Sequence, residues 1–342
     1  MSKLVAVIGA GPAGLECASA LAKMGISVKL FDRDTNTGGH LQSWNELFPD
    51  RRKSSDVLQL LQSNSSRLIE VNANSKVNRI EKSDKSFQIH TQENNPAHVD
   101  AVVIATGFDL FDARRKEEYG YGIYENVITS ADLEKIFKSH ESIKTNDGKV
   151  PKRIGFVHCV GSRDEKVGNL HCSKVCCVTA VKQAIEIREQ LPDTEVFCFY
   201  MDLRMYGRHF EELYKEAQEK WNVSFIRGRL SEAAENQDGS IVVKVEDTLT
   251  GRPLKMNVDL LVLMAGMIPS VSIPAIGSEI PVAYGDDGFL KAVDEHVSAN
   301  LSGMPGIFYA GTCTGPKSIS ETLADARSAA LEVADFLTET SS

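Results

Sequence analysis

Three observations predict an α/β fold of two dinucleotide-binding, Rossmann-type domains, each a parallel sheet with antiparallel additions. Near the start, an apolar strand, a glycine-rich turn, a helix and a second apolar strand succeed one another over residues 4–31. From residue 153 the same order recurs with different turn chemistry. Alternating polar and apolar segments separated by charged turns follow each unit, as antiparallel strands with one solvated face do.

The elements follow in order. Leu4–Ile8 is a short, fully apolar strand. Residues 12–24 place Ala13, Cys17, Ala20, Leu21 and Met24 at helical spacing, and 26–31 is again a buried strand. A polar stretch rich in Ser and Asn covers 50–66. Strand-like runs at 76–80, 86–91 and 99–104 predict an antiparallel meander returning to the main sheet. Residues 108–150 are expected to be a linker with one amphipathic helix at 130–138 and a turn at Asn146-Asp147-Gly148. The second unit runs through a strand at 153–157, a helix at about 173–191 and a strand at Glu195–Tyr200. A helix at about 209–221, a strand at 223–226 and a hairpin of 240–246 with 253–258 complete it. Apolar strands at 260–264 and Ile307–Tyr309 and an Ala-rich helix at about 320–337 close the chain. These last segments resume the first domain, so the expected organisation is a discontinuous domain of 1–150 and 258–342 around a second of 151–257.

The chain carries 47 acidic and 38 basic residues, a formal net charge of -9. That balance argues against a nucleic-acid partner, because such affinity rests on Lys and Arg displacing counterions. The start passes straight into the first strand without an apolar signal core, so a cytoplasmic location is expected. The most apolar stretch, 260–267, is far shorter than the roughly 20 residues of a membrane-spanning helix, and no direct membrane insertion is expected.

Gly9, Gly11 and Gly14 form G-x-G-x-x-G between a strand and a helix, where the backbone closes on a pyrophosphate and the helix N-terminus faces its charge. Asp32 ends the second strand, where a carboxylate accepts from ribose hydroxyls. This motif does not separate FAD from NAD. Three further features resemble the two-dinucleotide-binding-domain flavoproteins, the class that includes thioredoxin reductase. They are Gly38-Gly39 beyond Asp32, Ala105-Thr106-Gly107 after an apolar strand, and Gly306-Ile307-Phe308-Tyr309-Ala310-Gly311 before the last helix. The resemblance implies FAD, with contacts from Gly9, Ala10, Gly11, Pro12, Ala13, Gly14, Asp32, Arg33, Gly39, His40, Val77, Ala105, Thr106, Gly107, Gly311, Thr312, Ser318 and Ile319. It also implies a helix N-terminus near the flavin pyrimidine. The class usually follows the final Gly with Asp, whereas Thr312 and Cys313 stand here.

In that class the second unit carries its own Gly-rich turn for a nicotinamide nucleotide. Here the matching place reads His158-Cys159-Val160-Gly161-Ser162-Arg163-Asp164, without G-x-G-x-x-G, so no pyrophosphate cradle is encoded. Arg163 and Lys166 read as solvated charges.

Four of the seven cysteines, Cys159, Cys172, Cys176 and Cys177, fall within 19 residues. Clustered thiols in a chain without an export signal are read as ligands or redox groups rather than disulfides. Four soft sulfur donors suit a four-iron cluster. Cys172 and Cys176, at i and i+4, would share a face at a helix start whose N-terminus favours thiolate. Structural zinc and thiol redox chemistry remain the competing readings. His158 and His171 flank the cysteines and are expected to shape hydrogen bonds. Cys17 and Cys198 are expected in the core, Cys313 either as a small buried residue or as a thiol near the flavin, and Lys317 either near the flavin or on the surface.

The runs Cys159-Val160-Gly161-Ser162-Arg163-Asp164 and His171-Cys172-Ser173-Lys174-Val175-Cys176-Cys177 resemble the heterodisulfide reductase A subunit family. Tyr119-Gly120-Tyr121-Gly122, Tyr200-Met201-Asp202-Leu203-Arg204 and Gly311-Thr312-Cys313-Thr314-Gly315-Pro316-Lys317 match it too. The resemblance covers nearly the whole chain. It implies a [4Fe-4S] cluster on the four cysteines and electron transfer between FAD and B-like and C-like iron–sulfur subunits, with a homodimer inside a larger complex. The added ferredoxin-like Cys-x2-Cys-x2-Cys-x3-Cys segments of the long members are missing from this sequence. The compact form is similar to the A-like subunit of the sulfur-oxidation heterodisulfide reductase-like complex. Alternatives are the A subunit of a quinone-interacting oxidoreductase complex and a stand-alone NAD(P)H-dependent flavin oxidoreductase. The resemblance implies no individual catalytic residue.

Overall fold

The computed structural model describes residues 3–84, 86–92, 95–276 and 279–340. Two compact units divide the chain. The first comprises Met1–Gln42, Ser55–Asp109 and Ile268–Ser342, and the second Ser43–Ser54 and Leu110–Met267.

In the first unit, β1 (Leu4–Ile8), α1 (Pro12–Lys23) and β2 (Ser27–Phe31) form the opening strand–helix–strand. Val5, Ala6 and Val7 are fully buried, because β1 lies inside a sheet covered on both faces. β1 pairs in parallel with β2 on one side and with Ala101–Ile104 on the other. Ile69–Asn72 and Ile307–Tyr309 form the edges of this five-stranded parallel sheet. The C-terminal helix Ile319–Glu339 packs on α1. Its Ala326, Ala329 and Ala330 and the Ala18 of α1 are all buried, small residues that let two helices approach closely. Arg79–Ser83, Ser86–His90 and Ala97–Val99 make a separate antiparallel sheet.

The second unit repeats the plan. Arg153–Val160 lies between Leu260–Ala265 and Glu195–Tyr200, with Val127–Thr129 and Ser224–Arg227 outermost, all parallel. Cys176–Gln190 packs Val178, Val181 and Ile185 against Ile154, Phe156, Val196 and Val262. Leu230–Glu235, Ile241–Asp247 and Arg252–Val258 form the antiparallel addition. The expected fold class is therefore the one observed.

Several local expectations differ. Residues 110–150 are not a linker of the first domain. Val127–Thr129 pairs with Leu261–Leu263 and draws its capped helix, Ser130–Ser139, into the second unit. The first unit resumes at Ile268 rather than at 258. The run 99–104 is two strands: Val99 closes the antiparallel sheet, and Ala101–Ile104 joins the parallel one. Between them the Asp100 Oδ2 accepts from the Leu4 N–H at 2.8 Å. Ile69–Asn72 and Leu230–Glu235 escaped sequence reading because each is half exposed and carries charges. Ser54–Ser63, inside the polar stretch, is a helix.

A buried ionic group pins the Ser43–Ser54 segment. Lys182 pairs with Glu134 and, at 2.8 Å, with Glu186, all three nearly inaccessible. Asn45 donates from its backbone to Glu134 and from Nδ2 to Glu186, both at 2.8 Å. One ammonium facing two buried carboxylates leaves the second carboxyl hard to ionise. Burial pushes Glu186 up to about 7, Lys182 opposes the rise and Glu134 adds to it.

Candidate functional site

In the first unit the glycine-rich turn is built by close backbone approach. Gly9 has φ +104°, and a methyl group there would sit 2.4 Å from Ala105 O. A methyl at Gly14 would sit 1.8 Å from Gly9 O, so α1 can lie against the turn only without a side chain. Gly11 is the opposite case: a methyl there meets nothing within 4 Å. Gly11 caps α1 without any side-chain hydrogen bond, and Pro12 occupies the first turn, so the helix's free N–H groups face open space. This is the geometry of an anion cradle.

The buried Asp32 is tied on both oxygens. Ala10 N–H donates to Oδ2 at 2.5 Å and Asp34 N–H to Oδ1 at 2.9 Å. Each oxygen keeps a lone pair for a ribose hydroxyl. A methyl at Gly39 would lie 3.2 Å from Gly11 Cα, so Gly39 borders the same turn. Ala105 N–H donates to Ile8 O at 2.8 Å, and Ala310 N–H to Ile104 O at 3.0 Å. Together they align Ala105-Thr106-Gly107 and Gly311 at the carboxyl ends of the parallel strands. Thr312 Oγ1 comes within 3.7 Å of where a Gly107 methyl would be, and Ala13 Cβ within 2.5 Å of one on Gly311. Thr106 Oγ1 is buried without a hydrogen-bond partner, a polar atom left available to a ligand. The donors, the open turn and this orphan hydroxyl fit an adenine dinucleotide.

The remaining expected contacts have other partners. Arg33 lies 3.6 Å from Asp109 and donates to Ser272 Oγ. His40 stacks on Phe108, with ring centroids 4.4 Å apart, and Val77 is buried in the first unit's core. Ser318 and Ile319 begin the last helix, and the Ser318 side chain is engaged in a capping box with Glu321. Cys313 is fully buried and donates to Ile104 O at 3.1 Å; burial pushes its thiol up to about 12. Cys17 and Cys198 are likewise core residues. Lys317 is neither free nor exposed: its Nζ donates to Gly311 O at 3.0 Å and Thr314 Oγ1 at 2.6 Å. Sequence reading missed Asp325. Its Oδ2 accepts the Gly311 N–H at 2.5 Å, which puts a carboxylate back at the turn where Thr312 replaces the usual Asp. Only the register of the last helix, Thr322 and Asp325 at i and i+3, could have signalled it.

In the second unit the corresponding strand-to-helix turn holds the cysteines. Pairing of Arg153–Val160 with Leu260–Ala265 shifts by one residue between Val157 and Val160. Cys159 sits in this bulge with φ +59°, and bulges of this kind re-aim side chains. The loop beyond folds back on itself: Arg163 N–H donates to His171 O at 2.9 Å and Asp164 N–H to Asn169 O at 2.8 Å. Asp164, almost inaccessible, is clamped by Lys116 at 2.7 Å and Arg229 at 2.8 Å. His171 Nε2 contacts Met267 O at 2.8 Å, and Ser173 Oγ accepts the Met267 N–H at 2.8 Å, fixing Cys172 between them.

The helix begins at Cys176, not at 173. Lys174, with φ +63°, breaks the helical path, so Cys172 does not share a helix face with Cys176. Instead Lys174 N–H donates to Cys172 Sγ at 3.3 Å. Cys177 Sγ lies 3.6 Å from Asp202 O. His171 shapes hydrogen bonds as expected, whereas both ring nitrogens of the buried His158 lack a partner, and burial holds it down to about 4. Arg163 is not a solvated charge, because its guanidinium pairs with Asp202 at 2.7 Å.

All four cysteines are free thiols, and Cys176 feels the other three, Cys159 feels Cys172 and Cys177, and Cys177 feels Cys172. Burial raises Cys159 to about 11, Cys176 well above its ordinary value and Cys177 in the same direction, with neighbouring thiols adding to the rise at each. Among the described residues, no three His, Cys, Asp or Glu side chains converge to hold a single metal ion. Four free thiols are the donor set that a four-iron cluster takes, one sulfur per iron.

A family model described as pyridine nucleotide-disulphide oxidoreductase matches residues 3–157 and 178–330. The chain belongs to that family. It is an oxidoreductase of that family. The two matched stretches leave out residues 158–177, which hold all four clustered cysteines.

The resemblance to heterodisulfide reductase A subunits is borne out by curated relatives. The A subunit of the H2:CoB-CoM heterodisulfide,ferredoxin reductase of Methanothermobacter marburgensis is 39% identical over 252 residues, 72% of this chain and 38% of that protein. The iron-sulfur A subunit of the CoB-CoM heterodisulfide reductase of Methanocaldococcus jannaschii is 42% identical over 242 residues, 69% of this chain and 37% of that protein. The matched region thus spans under two fifths of these relatives' length.

Among solved structures, thioredoxin reductase from T. acidophilum is similar with a TM-score of 0.68 at 19% identity, covering 98% of both chains. That from Lactococcus lactis gives 0.69 at 18%, covering 99% of this chain and 100% of the other. These likenesses establish the two-domain fold. Among the described residues, no helix is long and apolar enough to cross a membrane.

Proposed function

We propose that the chain is an FAD- and [4Fe-4S]-dependent electron-transfer subunit of a cytoplasmic heterodisulfide reductase-like complex in dissimilatory sulfur metabolism. In this reading it exchanges electrons with B-like and C-like iron–sulfur subunits and forms a homodimer within the complex. One observation carries the reading: where the first unit has an open glycine cradle, the second has four free, mutually interacting thiols on a bulged strand and a helix N-terminus.

When bound, FAD supplies the exchange between one- and two-electron chemistry, and the cluster supplies single-electron transfer. The backbone of Gly9 to Gly14 would bind the pyrophosphate, with Asp32 on the ribose. Ala105, Thr106, Gly107, Gly311 and Thr312 would border the flavin, and Asp325 would keep the Gly311 turn in place. Cys159, Cys172, Cys176 and Cys177 would each hold one iron. The Lys174 N–H donates to Cys172 Sγ at 3.3 Å, a hydrogen bond that a sulfur ligand could keep.

The test is an anaerobic preparation in which iron, sulfide and flavin are counted, with about four irons per FAD expected. Cys176→Ala should lose the iron and its EPR signal while retaining FAD. Loss of FAD with iron retained would contradict the assignment. Rapid bleaching of the flavin by NADH would replace it with a nicotinamide-linked one.

A further inference from the structure

A four-iron cluster on four thiolates carries net negative charge, and burying it calls for a compensating cation or donated hydrogen bonds. Resting on the cluster reading above, the question is which side chain of this protein supplies them.

Arg163 is linked, directly or through Asp202, to the segments that contribute the thiols. It follows Cys159 on the same loop, and its backbone N–H donates to His171 O at 2.9 Å, beside Cys172. Its Nη2 donates to Asp202 Oδ2 at 2.7 Å. The carbonyl of that same Asp202 faces Cys177 Sγ at 3.6 Å. The second terminal nitrogen, Nη1, is buried and has no hydrogen-bond partner. Buried guanidinium nitrogens without an acceptor are rare, and the side chain that carries this one is also in hydrogen-bond reach of Cys159. The backbone of Arg163 is left-handed, φ +54°, so local strain is accepted to aim this side chain. Asp202 is held by a second cation, Arg227, at 3.7 Å, so the pair is not a neutral unit that cancels Arg163.

We propose that Arg163 is the charge-compensating residue of the four-thiol site, oriented by Asp202, and that it raises the reduction potential of the cluster held there. A cation beside the sulfurs favours the more negative, reduced state. Because the guanidinium acts through charge, lysine should substitute for it and glutamine should not.

The experiment is a dye-mediated anaerobic redox titration followed by EPR on wild type, Arg163→Gln and Arg163→Lys, with iron and FAD counted in each. The expected result is full iron and flavin in all three, a midpoint displaced to more negative potential in Arg163→Gln, and a midpoint in Arg163→Lys close to wild type. An unchanged midpoint in an iron-replete Arg163→Gln overturns this inference and leaves the cluster reading standing. Absence of iron from wild type removes the cluster reading, and this inference with it. Where Arg163→Gln assembles no cluster, Arg163→Lys decides. Restored iron supports the charge role, and iron lost in both variants overturns it, since the shape of the guanidinium would then be what the site requires.

Discussion

Two glycine-to-alanine substitutions separate packing from ligand space at the first unit's turn. In Gly14→Ala the new methyl would lie 1.8 Å from Gly9 O, whereas tight contacts begin to relax only near 3.4 Å. Backbone must therefore move by about 1.6 Å, and overpacking of this kind costs roughly 1–3 kcal/mol or more. A loss of that size lowers the melting temperature by several degrees in a chain of this length. In Gly11→Ala the methyl meets nothing within 4 Å, and the residue's φ of -71° is ordinary for alanine. Its cost to the flavin-free protein should stay within about 1 kcal/mol, the scale of an N-cap change. Yet the methyl occupies the face where a pyrophosphate would approach the helix N-terminus. The expected outcome is a Gly11→Ala protein that melts like the flavin-free wild type but retains little FAD, beside a Gly14→Ala protein impaired in both. The assay pairs calorimetry of the deflavinated proteins with FAD titration followed by flavin fluorescence. Wild-type FAD affinity in Gly11→Ala would refute the assignment of that open space to the cofactor.

Glu186 gives a pH prediction. Its carboxyl is raised to about 7 in the folded protein against an ordinary 4.5, chiefly by burial, so the folded state holds the proton more tightly. The associated stability is full below about 4.5 and lost as pH rises through about 7, on the order of 3 kcal/mol in all. Glu186→Gln should flatten the fall in urea stability between those values, and an unchanged slope would show that the fall arises elsewhere. The thiols give another. Folded protein stripped of iron and treated with iodoacetamide at pH 8 should label Cys172, the half-buried member of the cluster, long before Cys17 and Cys313, whose thiols burial raises to about 12. Peptide mapping that found Cys313 labelled first would contradict its placement beneath Ile104 and Ala310.

Much of the fold was legible because the two strand–helix–strand runs combine fully apolar strands with one-sided helices, patterns that burial in a parallel sheet imposes directly. What escaped depended on contacts distant in sequence. Val127–Thr129 is too short to show periodicity, and it belongs to the second unit only through pairing with Leu261–Leu263. The helix after Cys172 starts late because Ser173 is held by Met267, 94 residues away. Asp325 reaches Gly311 through the pitch of a helix, and Arg163 resembled a surface charge until Asp202 was placed opposite it. The glycine turn of the first unit, by contrast, is local chemistry, and its spacing alone announced it.

The bulge at Val157 to Val160 limits how such a thiol site could be transplanted. Along a regular strand, neighbouring side chains alternate between faces, so one extra residue reverses the side on which every later one emerges. Engineers who copied the four cysteines onto a related protein with an unbroken central strand would send the first sulfur to the wrong side of the sheet. An insertion, not a set of point changes, is the minimal unit that must travel with the ligands.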